Sequence, residues 1–213
     1  AKTRPMGRGA SGVRGVRLQS DQDEAIGMIA VNDMESDILV VSQNGYGKRS
    51  SLEDYRITNR GGKGVKTISI TEKTGDLVAI KNVSDSHDLM IINKSGIAIR
   101  LAVENLRVMG RATQGVKAMN LSNHDSIAQL LVLSADENPD ILVATSQGFA
   151  KRTNASEYKS TSGRNVRGVN TSDQVKFDRN GMIVSASTVS DGDTLIVLTK
   201  KGQIIQIPID DIR

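Results

Sequence analysis

The sequence contains no cysteine and no tryptophan, only two histidines and three prolines, and just 2% aromatic residues. Without cysteine there is no disulfide framework and no thiolate metal site, and the chain fits a reducing compartment, for which the cytoplasm is the expectation. His87 and His124 each precede an aspartate at an apparent strand entry and read as turn residues, so no transition-metal site is expected. No run of about 18 apolar residues is present for a membrane span, and the opening Ala1-Lys2-Thr3-Arg4-Pro5 has no apolar signal core. Because position 1 is not methionine, the chain is expected to be cut from something longer or processed.

The shortage of aromatics forces the core onto Ile, Val, Leu, Met and Ala. It also leaves little to stack on unpaired bases, since Tyr46, Tyr55, Phe149 and Tyr158 stand where packing would claim them. Single-stranded nucleic acid is therefore a poor ligand. No segment carries a helical apolar period, so a recognition helix is not expected either. Lysine and arginine number 28 against 24 acidic residues, a net charge of +4. An excess this small means that any anionic partner must be met by clustered charge.

What is present is repetition, and a missed internal period would misread the whole fold. "MGRGASGVRGVRL" from Met6 recurs as "TNRGGKGVKTISI" from Thr58, "MGRATQGVKAMNL" from Met109 and "SGRNVRGVNT" from Ser162. The Gly-Val pairs begin at Gly12, Gly64, Gly115 and Gly168, spaced 52, 51 and 53 residues. A second signature, "ILVVSQNGYGKRS", "LMIINKSGIAIRL", "ILVATSQGFAKRT" and "LIVLTKKGQIIQI", places Gly45, Gly96, Gly148 and Gly202 in step with the first. Four units follow, at about residues 4–56, 57–107, 108–159 and 160–213, within a single domain spanning 1–213.

Each unit reads as strands. Leu89-Met90-Ile91-Ile92 is a continuous apolar run, as expected of a strand buried on both faces. Asn93-Lys94-Ser95-Gly96 turns the chain, and Ile97, Ile99 and Leu101 then alternate with Ala98 and Arg100, predicting a strand with one wet face. "GVKTISI" from Gly64 and "DLVAIKNV" from Asp76 supply two more strands, four per repeat. "SLEDYR" and "AVENLR" amount to a turn of helix at most. A four-stranded sheet this small cannot cover its own faces, so neighbouring units must stack as propeller blades do.

The glycine-rich loop at 58–67, "TNRGGKGVKT", raises the question of phosphate binding. A P-loop needs glycine five residues before Gly-Lys and Ser or Thr after it. Gly62-Lys63 has Ile57 and Gly64 there, and Gly47-Lys48 has Ser42 and Arg49. Gly7 to Gly12 satisfies the dinucleotide fingerprint, but "VRGVRL" reads as a strand where a helix is required. A bare turn explains the recurring glycines and leaves the charges unexplained.

Arg8, Arg60, Arg111 and Arg164 recur four residues ahead of each Gly-Val pair, with further cations at Arg14, Lys66, Lys117 and Arg167. The outgoing hairpin strand adds Lys48 and Arg49, Arg100, then Lys151 and Arg152, with Gln206 in the fourth unit. One cation per blade at a fixed position predicts a ring or stripe that a polyanion would meet repeatedly. Gly61, Gly62 and Gly64 beside Arg60 and Lys63 would let a phosphate approach the backbone amides.

The segments "RPMGRGASGVRGVRL" at 4–18, "NGYGKRS" at 44–50, Arg-Gly-Gly-Lys-Gly at 60–64 and "MGRATQGV" at 109–116 resemble the C-terminal DNA-wrapping domain of the DNA gyrase A subunit. The resemblance implies an all-β, propeller-like β-pinwheel whose blades exchange strands and whose basic edge bends double-stranded DNA in support of ATP-driven negative supercoiling. The family's seven-residue gyrase box aligns with Thr58 to Gly64, where Thr58 and Asn59 replace glutamine and the first basic residue.

The resemblance further implies no cofactor in this domain, with ATP and magnesium used elsewhere in the holoenzyme. The implied partners are the gyrase B subunit, together with the remainder of the A subunit, in an A2B2 assembly, with no membrane. The cleavage tyrosine and the ATPase site would lie outside the chain, which is then inert on its own in the bacterial cytoplasm. The related domain of the topoisomerase IV A subunit, and a propeller that serves as a protein-interaction platform, remain open alternatives at this point.

Overall fold

The computed structural model describes residues 4–122, 124–161, 166, 168–171 and 177–212. Four antiparallel hairpins form its frame. They are β1 (Asp37–Ser42) with β2 (Tyr46–Ser51), β4 (His87–Asn93) with β5 (Ile97–Ala102), β8 (Asp140–Thr145) with β9 (Ala150–Asn154), and β13 (Thr194–Leu198) with β14 (Ile204–Pro208). A single 3₁₀ turn follows each hairpin, at Leu52–Asp54, Val103–Asn105, Ala155–Glu157 and Ile209–Asp211. The one α-helical element among the described residues is a single turn, Phe177–Asn180.

None of the first three hairpins completes its own sheet. The first strand of each takes an antiparallel neighbour from the following unit: β3 (Leu77–Val83) lies on β1, β7 (Ile127–Ser134) on β4, and β12 (Ile183–Val189) on β8. In the first two hairpins the second strand also takes a neighbour, from two units on. Thus β6 (Val116–Lys117) pairs with β2, while β10 (Ser160–Thr161) and β11 (Val169–Asn170) pair with β5.

The expectation of four strands per repeat is therefore corrected in its origin and count. The sheets among the described residues have four, five, three and two strands, and the first three are assembled across units. "GVKTISI" at 64–70 lies outside any strand, whereas β3 falls where the second candidate strand was expected.

Glycine makes this exchange possible. Gly115 holds φ 80° and passes so close to β2 that a Cβ on it would lie 2.7 Å from the Gly47 carbonyl oxygen. Gly168 repeats the approach one unit later, 2.5 Å from the Ala98 carbonyl. The Gly-Val signature is thus the point where a later unit folds onto an earlier hairpin.

Stacked sheets bury both faces of the central strands, as the apolar run in β4 predicts. Leu89 and Ile91 face a core with Leu39, Val41, Ile99 and Met119, while Met90 and Ile92 face a second core with Ile141, Val143, Tyr158 and Ala186. The wet face expected on β5 is absent, since Ala98 and Arg100 are both buried. The outer face of the first sheet is closed by Ile38, Val40 and Ile68, against which Ile29 and Val31 pack.

Gly115→Ala combines left-handed backbone strain, about 1–3 kcal/mol, with a backbone clash at Gly47. Gly64→Ala carries the strain alone, because its Cβ would meet open space. Thermal unfolding should lower Tm clearly more for the first variant; equal shifts would mean that the close approach to β2 does not limit stability.

Candidate nucleic-acid interface

The cations singled out by period separate into two populations. Arg8, Arg14, Arg60, Lys63 and Lys66 are exposed on glycine-rich loops, and among the described residues none makes an ion pair or a side-chain hydrogen bond. Arg111 and Lys117 are half-buried. Arg111 Nη1 donates 2.9 Å to the Lys66 carbonyl, and Lys117 lies in β6 opposite Tyr46. Arg164 and Arg167 lie outside the described residues.

Cations on the outgoing hairpin strands behave differently, and here the expected outward ring is corrected. Arg49 is buried: its Nε sits 2.5 Å from Asp37, and its Nη1 reaches Asp85 at 2.6 Å and the carbonyls of Val103 and Leu106 at 3.3 and 3.4 Å. Arg100 is buried too, with Nε 2.6 Å from Asp88 and its remaining donors on Asn138 and the Glu137 and Ala155 carbonyls. Arg152 pairs with Asp140 at 2.5 Å, with Asp191, and with Asp210 at 3.7 Å. Each arginine holds its own hairpin through an aspartate and reaches the turns flanking the next one.

Lys48 is 1% exposed, and its ammonium donates to the carbonyls of Thr67, Gly110 (3.0 Å) and Arg111. Lys151 is exposed, and its Nζ donates 3.0 Å to the Thr171 carbonyl.

The physical reason is that strands stacked on both faces have no side open to water, so a charge there must be satisfied by the protein. A sequence signal for this was available. Asp37, Asp88 and Asp140 precede Arg49, Arg100 and Arg152 by twelve residues each, and Thr194 with Gln206 replaces both partners together in the fourth unit. Sequence reasoning also missed a second periodic cation, two residues past the end of each of the first three 3₁₀ turns: Arg56, Arg107 and Lys159 are all exposed.

The glycine loops are linked in series. Gly61 N–H donates 2.7 Å to the Gly15 carbonyl and Arg17 N–H donates 2.9 Å to Gly62, with Val16 bridging Gly62. Ser69 N–H donates to Thr113, Gln114 to the Thr71 hydroxyl, and Asn120 N–H to Val166. Gly61 and Gly62 amides are therefore already occupied, the second by Asn59, and a phosphate at this loop would be met by side-chain cations. Gly7 to Gly12 leads into extended chain, so the helix required by the dinucleotide fingerprint is not there.

His124 lies in a turn with φ 66°, whereas His87, expected in a turn, opens β4, where its Nδ1 accepts from Ser84 N–H at 3.0 Å. Among the described residues no cluster of His, Asp or Glu could hold a metal ion.

Burial lowers the Lys48 pKa from 10.5 to about 8; nearby Asp54 opposes the shift and the Arg111 guanidinium adds to it. Between those values the unfolded chain binds a proton that the native state has released, so this group makes stability rise with pH from about 8 towards 10.5. Denaturant unfolding over that range should show a rise in the wild type that is missing in Lys48→Met.

A second comparison weighs the ion pairs. Asp88→Asn leaves Arg100 buried without its carboxylate, a loss of about 3–5 kcal/mol. Asp191→Asn removes a partner that is 84% exposed and should change urea midpoints far less.

The family model described as "DNA gyrase C-terminal domain, beta-propeller" matches residues 4–32, 36–84, 87–134, 139–190 and 193–213. The chain is 41% identical to the DNA gyrase A subunit of Chlamydia pneumoniae over 146 residues, 68% of this chain and 17% of that protein. Against the DNA gyrase A subunit of Staphylococcus aureus it is 43% identical over 141 residues, 64% of this chain and 16% of that protein. The chain thus spans about a sixth of the length of these relatives.

Among solved structures it is similar to the C-terminal domain of DNA topoisomerase IV, with a TM-score of 0.77 and 25% identity, covering 91% of this chain and 59% of that one. It is likewise similar to the DNA gyrase A C-terminal domain, with a TM-score of 0.71 and 24% identity, covering 88% and 61%. Strand exchange between stacked hairpins and a family match along nearly the whole chain lead to one conclusion: this chain belongs to the family of DNA gyrase C-terminal domains, with the propeller-like fold of that family.

Proposed function

We propose that this chain is the DNA-binding and DNA-wrapping part of a gyrase A subunit, bending double-stranded DNA along its linked glycine loops to support negative supercoiling. The observation that carries this reading is the exposed cation set on those loops, Arg8, Arg14, Arg60, Lys63 and Lys66, unpaired among the described residues, in a chain of this family. Arg111 and Lys117 continue the set into the next loop, and Arg56, Arg107 and Lys159 are further exposed cations.

Bending a 20–30 bp site by 40–90° costs roughly 1–6 kcal/mol. Repeated contacts to phosphate offset that cost and carry little sequence information. Binding should accordingly respond to salt and to DNA bendability more than to base identity. In this reading the chain performs no chemistry. DNA cleavage and ATP turnover, with its magnesium, belong to the B subunit and to the rest of the A subunit, in an A2B2 holoenzyme of the bacterial cytoplasm, at the nucleoid.

The test is topological. The domain is bound to nicked circular plasmid, the nick is sealed by ligase, the protein is removed and the linking number is read on a gel. A shift that grows with protein and fades in Arg60→Ala/Lys63→Ala supports chiral wrapping through this loop. Binding with no shift at any protein ratio would overturn wrapping, and no binding at about 0.1 M salt would overturn DNA as the partner.

A further inference from the structure

We propose that Lys48 is a positioning residue that holds two successive DNA-facing loops in register, although it never touches DNA itself; this rests on the DNA-wrapping reading above. Its ammonium has three protons and three carbonyl acceptors, those of Thr67, Gly110 and Arg111, so no donor is left over for a phosphate. Thr67 directly follows Lys66 in one loop, and Arg111 is itself a candidate grip in the next. Lys48 thereby joins the backbones that carry both cations.

Neighbouring residues of β2 complete the clamp. Met109 N–H donates 2.9 Å to the Arg49 carbonyl at the entry to the second loop. Gly115, at its exit, passes over the Gly47 carbonyl, where a Cβ would lie 2.7 Å from the oxygen and 3.3 Å from Lys48 Cβ. Residues 109–115 are therefore held by Gly47, Lys48 and Arg49 at both ends, and the Arg111 side chain extends to the Lys66 carbonyl at 2.9 Å.

The third unit repeats part of the device. Lys151 Nζ donates 3.0 Å to the carbonyl of Thr171, which stands three residues past Gly168 as Thr67 stands three past Gly64. At the same position the second unit has Ile99, 1% exposed, and the fourth has Ile205. An aliphatic side chain is thus compatible with the hairpin, and the lysine is there for the loops.

Lys48→Met and Lys48→Ile, the residue of the second unit, provide the test, each alone and combined with Arg111→Ala. Two quantities are read: the salt dependence of binding to a fluorescent 30 bp duplex, and hydrogen exchange of the amides at 109–115 against those of β4 and β5. Each phosphate contact adds about 0.9 to the slope of log K against log salt. Lys48→Met should make the slope shallower by about 1–2, and its effect should be smaller on the Arg111→Ala background, where only the Lys66 contact is left to lose.

Loop amides should exchange at least about tenfold faster in the variant while β4 and β5 stay as in the wild type. Unchanged loop exchange, or an effect on the slope that simply adds to that of Arg111→Ala, overturns the proposal. If wild-type protein fails to bind duplex, the DNA reading falls instead, and the exchange measurement still decides whether Lys48 clamps the loops. If Lys48→Met does not fold, Lys48→Ile gives both readings.

Discussion

A two-stranded hairpin leaves a row of unpaired amides and carbonyls along each outer edge, and the covering of those edges governs the rest of this structure. In the first three hairpins the chain covers such edges with strands from later units, so each of these sheets is a product of more than one repeat. The arrangement forces contacts between segments far apart in sequence. It also demands a residue that can turn sharply and lie against a carbonyl, which is why Gly115 and Gly168 recur where they do. Strand exchange and the Gly-Val signature are one feature seen at two levels.

Stacking the sheets has an electrostatic consequence. Once both faces of a hairpin are buried, any charge in it must find its partner within the protein, and Arg49 and Arg100 find theirs in Asp37 and Asp88. Their remaining donors reach turns of the following unit, so the pairs also set the position of one blade against the next. Arg60 and Lys63, exposed on their loop, stay in water with their charge available. Identical residue types in one period thus divide into a buried set that organises the blades and an exposed set that can meet a polyanion.

Much of the fold was legible beforehand. The two signatures, the hairpin turns at Gly45, Gly96, Gly148 and Gly202, the doubly buried run of β4 and the short turns after each hairpin are local features, and local sequence encodes them. The second face of β5 was not legible. Its alternation of Ile97, Ile99 and Leu101 with Ala98 and Arg100 has the same pattern whether the polar-looking face meets water or another sheet. Lys48 escaped for a similar reason, since its three acceptors are backbone carbonyls, which no residue identity reveals.

By itself the sequence determined the repeat, the strand-forming segments, the positions of the sharp turns and the family, because each depends on residue type and spacing along the chain. Only the tertiary structure decided which strand completes which sheet and which periodic cations are spent inside the molecule. Both outcomes depend on what another unit, some fifty or a hundred residues away, brings to the same place. Asp37 and Arg49 show the division most clearly. Their spacing could be read from the sequence, but the burial that turns that spacing into a structural pair exists only once the neighbouring blade is stacked on it.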